Sequence, residues 1–406
     1  MYTGETDTEL DRYTPIVARF LSIEDVTHGG SDQKFLMRYR GRLRIDSAEA
    51  YDQMATLLRT LDVTPMFRKE HDRHAVFLVS GVNRPKPSRT WVNVLLFVLT
   101  VLSMFVTGVV HTLGNQTGGA PINGLKDLLP YIPASLGGGL AFALSLIAIL
   151  LAHEFGHYIA GRLHNTQVTL PYFLPFPFST FGTLGAFIQL KELPRNRRVL
   201  LDIGLAGPLA GLVITLPVLV LGLSLSKISP LPATLAESQG LFLEGNSLLY
   251  LFSKFLVFGR LLPEPGSYAG LPALLYWLRY FFTGQPFPLG GVDVMLHPVA
   301  LAGWAGLLVT ALNLTPAGQL DGGHITYVLL GEHVNKLLPF ILAFMLLMGM
   351  FWQGWWLLAV LIFLFGRSHA EPLDQITPLD PPRRLLAVVG LIIFLLVFTP
   401  VPMLQF

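Results

Sequence analysis

The chain has 406 residues, 52% of them hydrophobic and only 13% charged, with a mean hydropathy of +0.55 and a net charge of +2. A soluble domain carries about 25% charged residues, so most of this chain is not soluble globular protein, and so small a net charge gives no case for a nucleic-acid partner. There is no cysteine, which excludes disulfides, thiolate metal sites and a cysteine nucleophile.

The charge is unevenly placed. Residues 1–90 hold 14 Lys/Arg and 13 Asp/Glu, half of the 54 charged residues. This predicts a small soluble α+β domain over 1–83, a basic Pro-rich linker at 84–90 ("RPKPSRT"), and a membrane domain over 91–406. The first residues lack the basic–apolar–small pattern of a cleaved signal peptide, and 1–33 read as polar and loosely ordered. "FLMRYRGRLRID" (35–46) alternates strictly, with Met37, Tyr39, Leu43 and Ile45 on one face and Arg38, Arg40, Arg42 and Arg44 on the other. That is a half-buried strand, whose arginine face reads as solvated, with anionic lipid as the alternative. Asp46 with Glu49 three residues on marks a helix start, followed by the stripe Ala50, Met54, Leu57, Leu58 and Leu61. "TPMFR" and "HAVFLVS" then predict two paired strands.

Spans follow at about 91–110, 135–163 and 200–225, each matching a bilayer core, with a Gly-rich loop (113–124) after the first. Between the second and third, "LPYFLPFPFSTFGTLGAFIQL" is apolar but too rich in Pro, Gly and aromatics for a straight helix. Irregular backbone at membrane depth survives only under cover, so a re-entrant hairpin or loop is expected. Residues 226–295 form a long connection, in which 248–262 reads as an interfacial helix with Lys254 and Arg260 on its polar side. A fourth span at about 298–314 ends in the polar break "NLTPAGQLDGGH" (313–324), and shorter apolar stretches follow at 336–350, 352–366 and 385–400. The fold class is thus a polytopic α-helical membrane protein of about six or seven crossings behind a small α+β domain. Arg84, Lys86 and Arg89 precede the first span, and only Lys126 follows it. Lys191, Arg195, Arg197 and Arg198 precede the third, and Arg367, Arg383 and Arg384 flank the last connection. All but Lys126 fall on one side if the N-terminal domain is cytoplasmic.

The second span ends in "HEFGH" (153–157). Residues four apart share a helix face, so His153 and His157 can grip one metal ion. Glu154 points beside that ion, where it can take a proton from a water held there. This is the H-E-x-x-H arrangement of zinc hydrolases, and ionisable clusters within a membrane span are functional by default. A third ligand is needed. Glu192 and Asp202 lie at the edge of the third span; Asp321 is better placed. Spans two and four run in the same direction, so HEFGH and Asp321 reach similar depth on one side, and Gly322 and Gly323 would let the backbone approach the metal. Asn313 suits either an oxyanion-stabilising amide or a helix C-cap before Pro316. His324 reads as orienting the carboxylate, with ligation as the alternative. His297 reads as an interface residue, His164 and His333 as surface histidines, and "GLAGPLAGL" (204–212) as a close-packing stretch.

These two motifs together, His153, Glu154 and His157, then Asn313, Pro316, Asp321 and Gly322, resemble the signatures H-E-x-x-H and N-x-x-P-x-x-x-x-D-G of the site-2 protease family of intramembrane zinc metalloproteases. The resemblance covers about 135–370, and 297–324 looks most like the cyanobacterial and chloroplast branch. It implies that His153, His157 and Asp321 bind Zn2+, that Glu154 is general base and acid, and that Asn313 steadies the scissile peptide. It also implies that the segment around "FGTLGAF", with Gly182, Thr183, Leu184 and Gly185, pairs with an unwound substrate as an added strand. The implied substrates are transmembrane proteins or peptides, and the implied setting is a bacterial plasma membrane or a thylakoid-type membrane. Many bacterial relatives carry a PDZ domain between spans. None is visible here, so the N-terminal domain is the candidate for a regulatory partner. A transporter would place a polar cluster similarly but usually shows an internal repeat, and none is evident. A non-catalytic relative would show a broken motif, and this one is intact.

Overall fold

Long apolar runs can satisfy their backbone polar groups in hydrocarbon only as helix, and the three longest runs of this chain do so. In the computed structural model, which describes all residues except 1–3, 31–32, 85–87, 118–128, 235–241, 366–370 and 406, they form three long helices. These are α3 (Thr90–Thr117), α4 (Ile132–Leu163) and α5 (Arg197–Ser224). At 28, 32 and 28 residues and about 1.5 Å per residue, each exceeds a bilayer core of about 30 Å. Lys86, Lys126 and Arg367, three of the residues used to predict orientation, lie outside the described residues.

The remaining expected crossings are shorter. They are α8 (Pro298–Asn313), α10 (Val334–Met348), α11 (Gly354–Phe365) and α12 (Pro381–Val397). Their 16, 15, 12 and 17 residues reach at most about 26 Å. By length and composition, then, three helices among the described residues can cross alone. The short α10 and α11 form a hairpin whose Met345, Met348, Trp355 and Ile362 pack with Ala317, in the loop after α8.

The N-terminal unit runs α1 (Gly4–Phe20), β1 (Leu21–His28), β2 (Met37–Leu43), α2 (Ser47–Arg59), β3 (Val63–Glu70), β4 (Arg73–Ser80). Its antiparallel sheet has the order β1-β2-β4-β3. The expected looseness of 1–33 is corrected: most of it is α1 and β1. Tyr13, Val17, Phe20 and Leu21 pack with Tyr39, Met54 and Leu78, so burial against the sheet orders a segment whose composition alone is polar. Asp46 caps α2, accepting from the Ala48 and Glu49 amides at 2.9 and 3.4 Å. On the arginine face, Arg40 pairs with Asp25 and Arg38 with Glu70, while Arg42 and Arg44 stay exposed.

The irregular stretch after α4 is an antiparallel hairpin, β5 (Tyr172–Pro175) with β6 (Thr183–Phe187). It lies against α3, whose polar side chains serve its backbone. Asn93 Nδ2 donates to the Leu170 and Pro171 carbonyls, both at 2.9 Å, and Ser103 Oγ to the Gly182 carbonyl at 2.6 Å. His111 Nε2 meets the Thr180 carbonyl at 2.8 Å. This is the cover that non-helical backbone requires.

Between α5 and α8 lie β7 (Lys227–Pro230), β8 (Phe242–Glu244), α6 (Leu248–Phe258), α7 (Ala273–Thr283) and β9 (Val292–Met295), with β7 pairing β9. β8 pairs with the C-terminal β10 (Met403–Gln405). One reading of 248–262 is corrected here. Lys254 is fully buried, 3.8 Å from Asp293 and 4.5 Å above the Tyr250 ring. It does not snorkel to a surface, because tertiary structure covers that face of α6.

Candidate metal centre

The centre is built where α4, α5 and α8 converge on α9 (Asp321–Leu330). Two histidines four residues apart on α4 share a face, as 3.6 residues per turn dictates; their rings are 4.9 Å apart. His153, Glu154 and His157 are all buried. The polar break lets α8 stop at Asn313 and α9 start at Asp321, so seven residues bring the chain from one helix of the site to the next. Gly322 and Gly323 make that possible in a way the sequence did not reveal. Neither has positive φ, but a Cβ on Gly322 would stand 1.9 Å from the Leu314 carbonyl oxygen, and one on Gly323 2.3 Å from that of Gly318.

Asp321 Oδ2 lies 3.3 Å from His153 Nε2 and 3.3 Å from His157 Nε2, and the two nitrogens are 3.2 Å apart. This near-equilateral triangle fits a tetrahedral ion. Metal–ligand bonds of about 2.0 Å give tetrahedral edges of about 3.3 Å, with a fourth position left open. Two neutral imidazoles and a carboxylate are also a donor set that zinc favours. His153, His157 and Asp321 are the group of this kind found among the described residues.

Neighbouring backbone fixes the ligand orientations. His157 Nδ1–H donates to the Ile203 carbonyl at 2.7 Å, which leaves Nε2 with its lone pair toward the triangle. The glycines of "GLAGPLAGL" do pack helices, as expected, and they also make room for the two histidine ligands and for His324. A Cβ on Gly207 would stand 2.1 Å from His157 Nε2, one on Gly211 3.2 Å from His153 Nδ1, and one on Gly204 3.3 Å from His324 Cβ. Because α4 and α5 are antiparallel, the step from His153 to His157 runs alongside that from Gly211 back to Gly207. The Ile203 carbonyl and these glycines were missed as site residues. The only signal of the glycines was the small-residue spacing, and the carbonyl had none.

Asn313 Nδ2 is 3.2 Å from His153 Nε2, so its amide lies at the rim of the triangle; the C-cap itself is Leu314. Asp202 is excluded as a ligand, since it is held by Arg383 at 2.7 Å and His164 at 2.9 Å. His297 caps the far end of α8, about 24 Å away along the helix. Neither Glu192 nor His324 joins the donor group. In the hairpin, Leu184 is 65% exposed and Gly185 borders open space. Thr183 is buried, its hydroxyl bonded within the hairpin. Gly182, at φ +75°, leaves no room for a Cβ beside Met104.

The sequence pattern of peptidase family M50 matches residues 141–352. The chain is similar to "Probable zinc metalloprotease EGY1, chloroplastic" of Arabidopsis thaliana, at 29% identity over 79% of this chain and 55% of that protein. It is likewise similar to the rice protein of the same name (Oryza sativa subsp. japonica), at 29% over 79% and 52%. To "Probable zinc metalloprotease EGY2, chloroplastic" of Oryza sativa subsp. indica it is 30% identical over 66% and 44%. The chain thus spans about half the length of these curated relatives. No solved structure matches.

Proposed function

Because the chain belongs to peptidase family M50, we propose that it is an intramembrane zinc endopeptidase that hydrolyses peptide bonds in or near transmembrane segments of single-pass proteins. The observation that carries the reading is the His153–His157–Asp321 triangle of 3.2–3.3 Å edges with buried Glu154 beside it. Bound zinc supplies Lewis acidity, polarising the scissile carbonyl and making water nucleophilic near neutral pH. His157 is held in the ligating tautomer by Ile203. Glu154 cannot reach the same point as its two histidine neighbours, and from beside it takes the proton of the attacking water and delivers it to the leaving amine. The Asn313 amide steadies the scissile carbonyl as negative charge develops there.

A helical substrate must unwind first, because its peptide groups are internally bonded. Exposed Leu184 and open Gly185 support β6 as the edge to which the unwound segment adds. The ion pair between Arg195 and Asp52 at 3.1 Å supports a shared side for the N-terminal unit and the start of α5. With the Lys/Arg bias this reads as the cytoplasmic or stromal side. Replacing Glu154 with Gln should abolish cleavage of a co-expressed single-pass substrate while leaving zinc content unchanged. Retained cleavage would sink the assignment.

A further inference from the structure

The segment 371–378, between α11 and α12, touches the N-terminal unit and two of the helices that build the metal centre, α5 at its start and α9. On one side it joins the N-terminal unit. The Phe67 amide of β3 donates to the Leu373 carbonyl at 2.8 Å, the Gln375 amide returns to the Phe67 carbonyl at 3.1 Å, and Leu373 and Ile376 enter that unit's core. On the other it joins the start of α5. The Asp374 amide donates to the Arg195 carbonyl at 2.7 Å, and Arg198 Nε donates to the Pro378 carbonyl at 2.9 Å. It also reaches α9, the helix that Asp321 begins, where Gln375 Nε2 donates to Tyr327 Oη at 3.2 Å.

At its centre the Asp374 carboxylate is fully buried. It accepts from Ser47 Oγ at 3.0 Å, from the Ile376 and Thr377 amides at 2.8 and 3.2 Å, and from the Thr377 hydroxyl. A buried carboxylate is tolerated only when its lone pairs are met. The Ser47 bond is therefore made only when the N-terminal unit is docked.

We propose that 371–378 is a coupling strap through which docking of the N-terminal unit positions α5 and α9 at the metal centre, with Asp374 as its positioning residue. The purpose of that positioning rests on the endopeptidase reading; the coupling itself does not. α5 brings the Ile203 carbonyl to His157 and α9 brings Asp321, so an undocked unit would loosen two of the three ligands.

The chain has no native cysteine, which permits a reversible test on the full protein in lipid nanodiscs. In the double variant Ser47→Cys/Asp374→Cys, oxidation ties the strap to α2 and reduction frees it. The reduced form should exchange amide hydrogens at 197–203 and 321–330 at least ten-fold faster than the oxidised form, with α3 unchanged, and should cleave substrate at least ten-fold more slowly. Asp374→Ala should match the reduced form. Equal exchange in both redox states, with crosslinking complete, overturns the proposal, as does faster cleavage on reduction. If wild-type protein cleaves nothing but the exchange difference is present, the coupling stands and the endopeptidase reading fails.

Discussion

His157 is fixed from two directions, by the Ile203 carbonyl at Nδ1 and by the space that Gly207 leaves at Nε2. The second constraint is the more brittle. A methyl at Gly207 would sit 2.1 Å from the ligating nitrogen, far inside van der Waals contact, whereas a methyl at Gly211 stands 3.2 Å from the nearest atoms of His153. Gly207→Ala should therefore weaken zinc binding at least ten-fold, about 1.4 kcal/mol, and Gly211→Ala should change it far less. Chelator competition measures both; equal effects would mean that α5 yields and the glycines are only packing. The contrast between legible and illegible residues has the same origin. His153, Glu154, His157 and Asp321 announce themselves because ionisable side chains in an apolar context need a reason. Gly207 contributes an absence, which has meaning only once the neighbouring ring is known, and Ile203 contributes a carbonyl that every residue has.

Among the elements, the long helices were the most legible, because hydrophobic length is a direct consequence of bilayer thickness. The predicted 135–163 span and the observed Ile132–Leu163 helix differ by three residues at one end. The α1–β1 segment was the least legible. Its order comes from Val17, Phe20 and Leu21 meeting residues distant in sequence, and no local period records that. The β5–β6 hairpin lies between these cases. Its composition excluded a helix, but its pairing and its anchoring by Asn93, Ser103 and His111 required the fold. If β6 receives substrate, its exposed edge can be altered without touching the zinc. Leu184→Asp places a charge where an apolar side chain is 65% exposed, and so should cost folding little. It should raise KM about ten-fold, about 1.4 kcal/mol of binding, with kcat and zinc content held. An unchanged KM would remove β6 from substrate binding.

At the scale of the whole molecule, two buried polar centres among the described residues, besides the Asp374 cluster, lie along α8. One is the metal centre beside Asn313. The other lies near Trp304, whose Nε1 donates to the Gly245 carbonyl at 2.9 Å. There Glu244 accepts from Tyr250 Oη at 2.7 Å, and Lys254, Asp293 and Tyr280 are buried around it. Burial pushes the Glu244 carboxyl up to about 7, with the neighbouring Asp293 charge adding to the rise and Lys254 and the Tyr250 hydrogen bond opposing it. A carboxyl raised in the folded state contributes stability that is complete below its unfolded value near 4.5 and is lost as pH climbs through about 7. The effect is opposite in sign to that of a salt-bridged carboxylate such as Asp25, which Arg40 holds low and which favours the fold as pH rises. Metal release in acid also changes stability, so the informative quantity is the difference between wild type and Glu244→Gln in metal-free protein at each pH. Glu244→Gln keeps a neutral acceptor for Tyr250 and removes the titration. Wild-type Tm, taken relative to the variant, should fall between pH 5 and pH 8. A difference that stays flat across that range would mean that Glu244 titrates normally and that the centre near Trp304 is open to water.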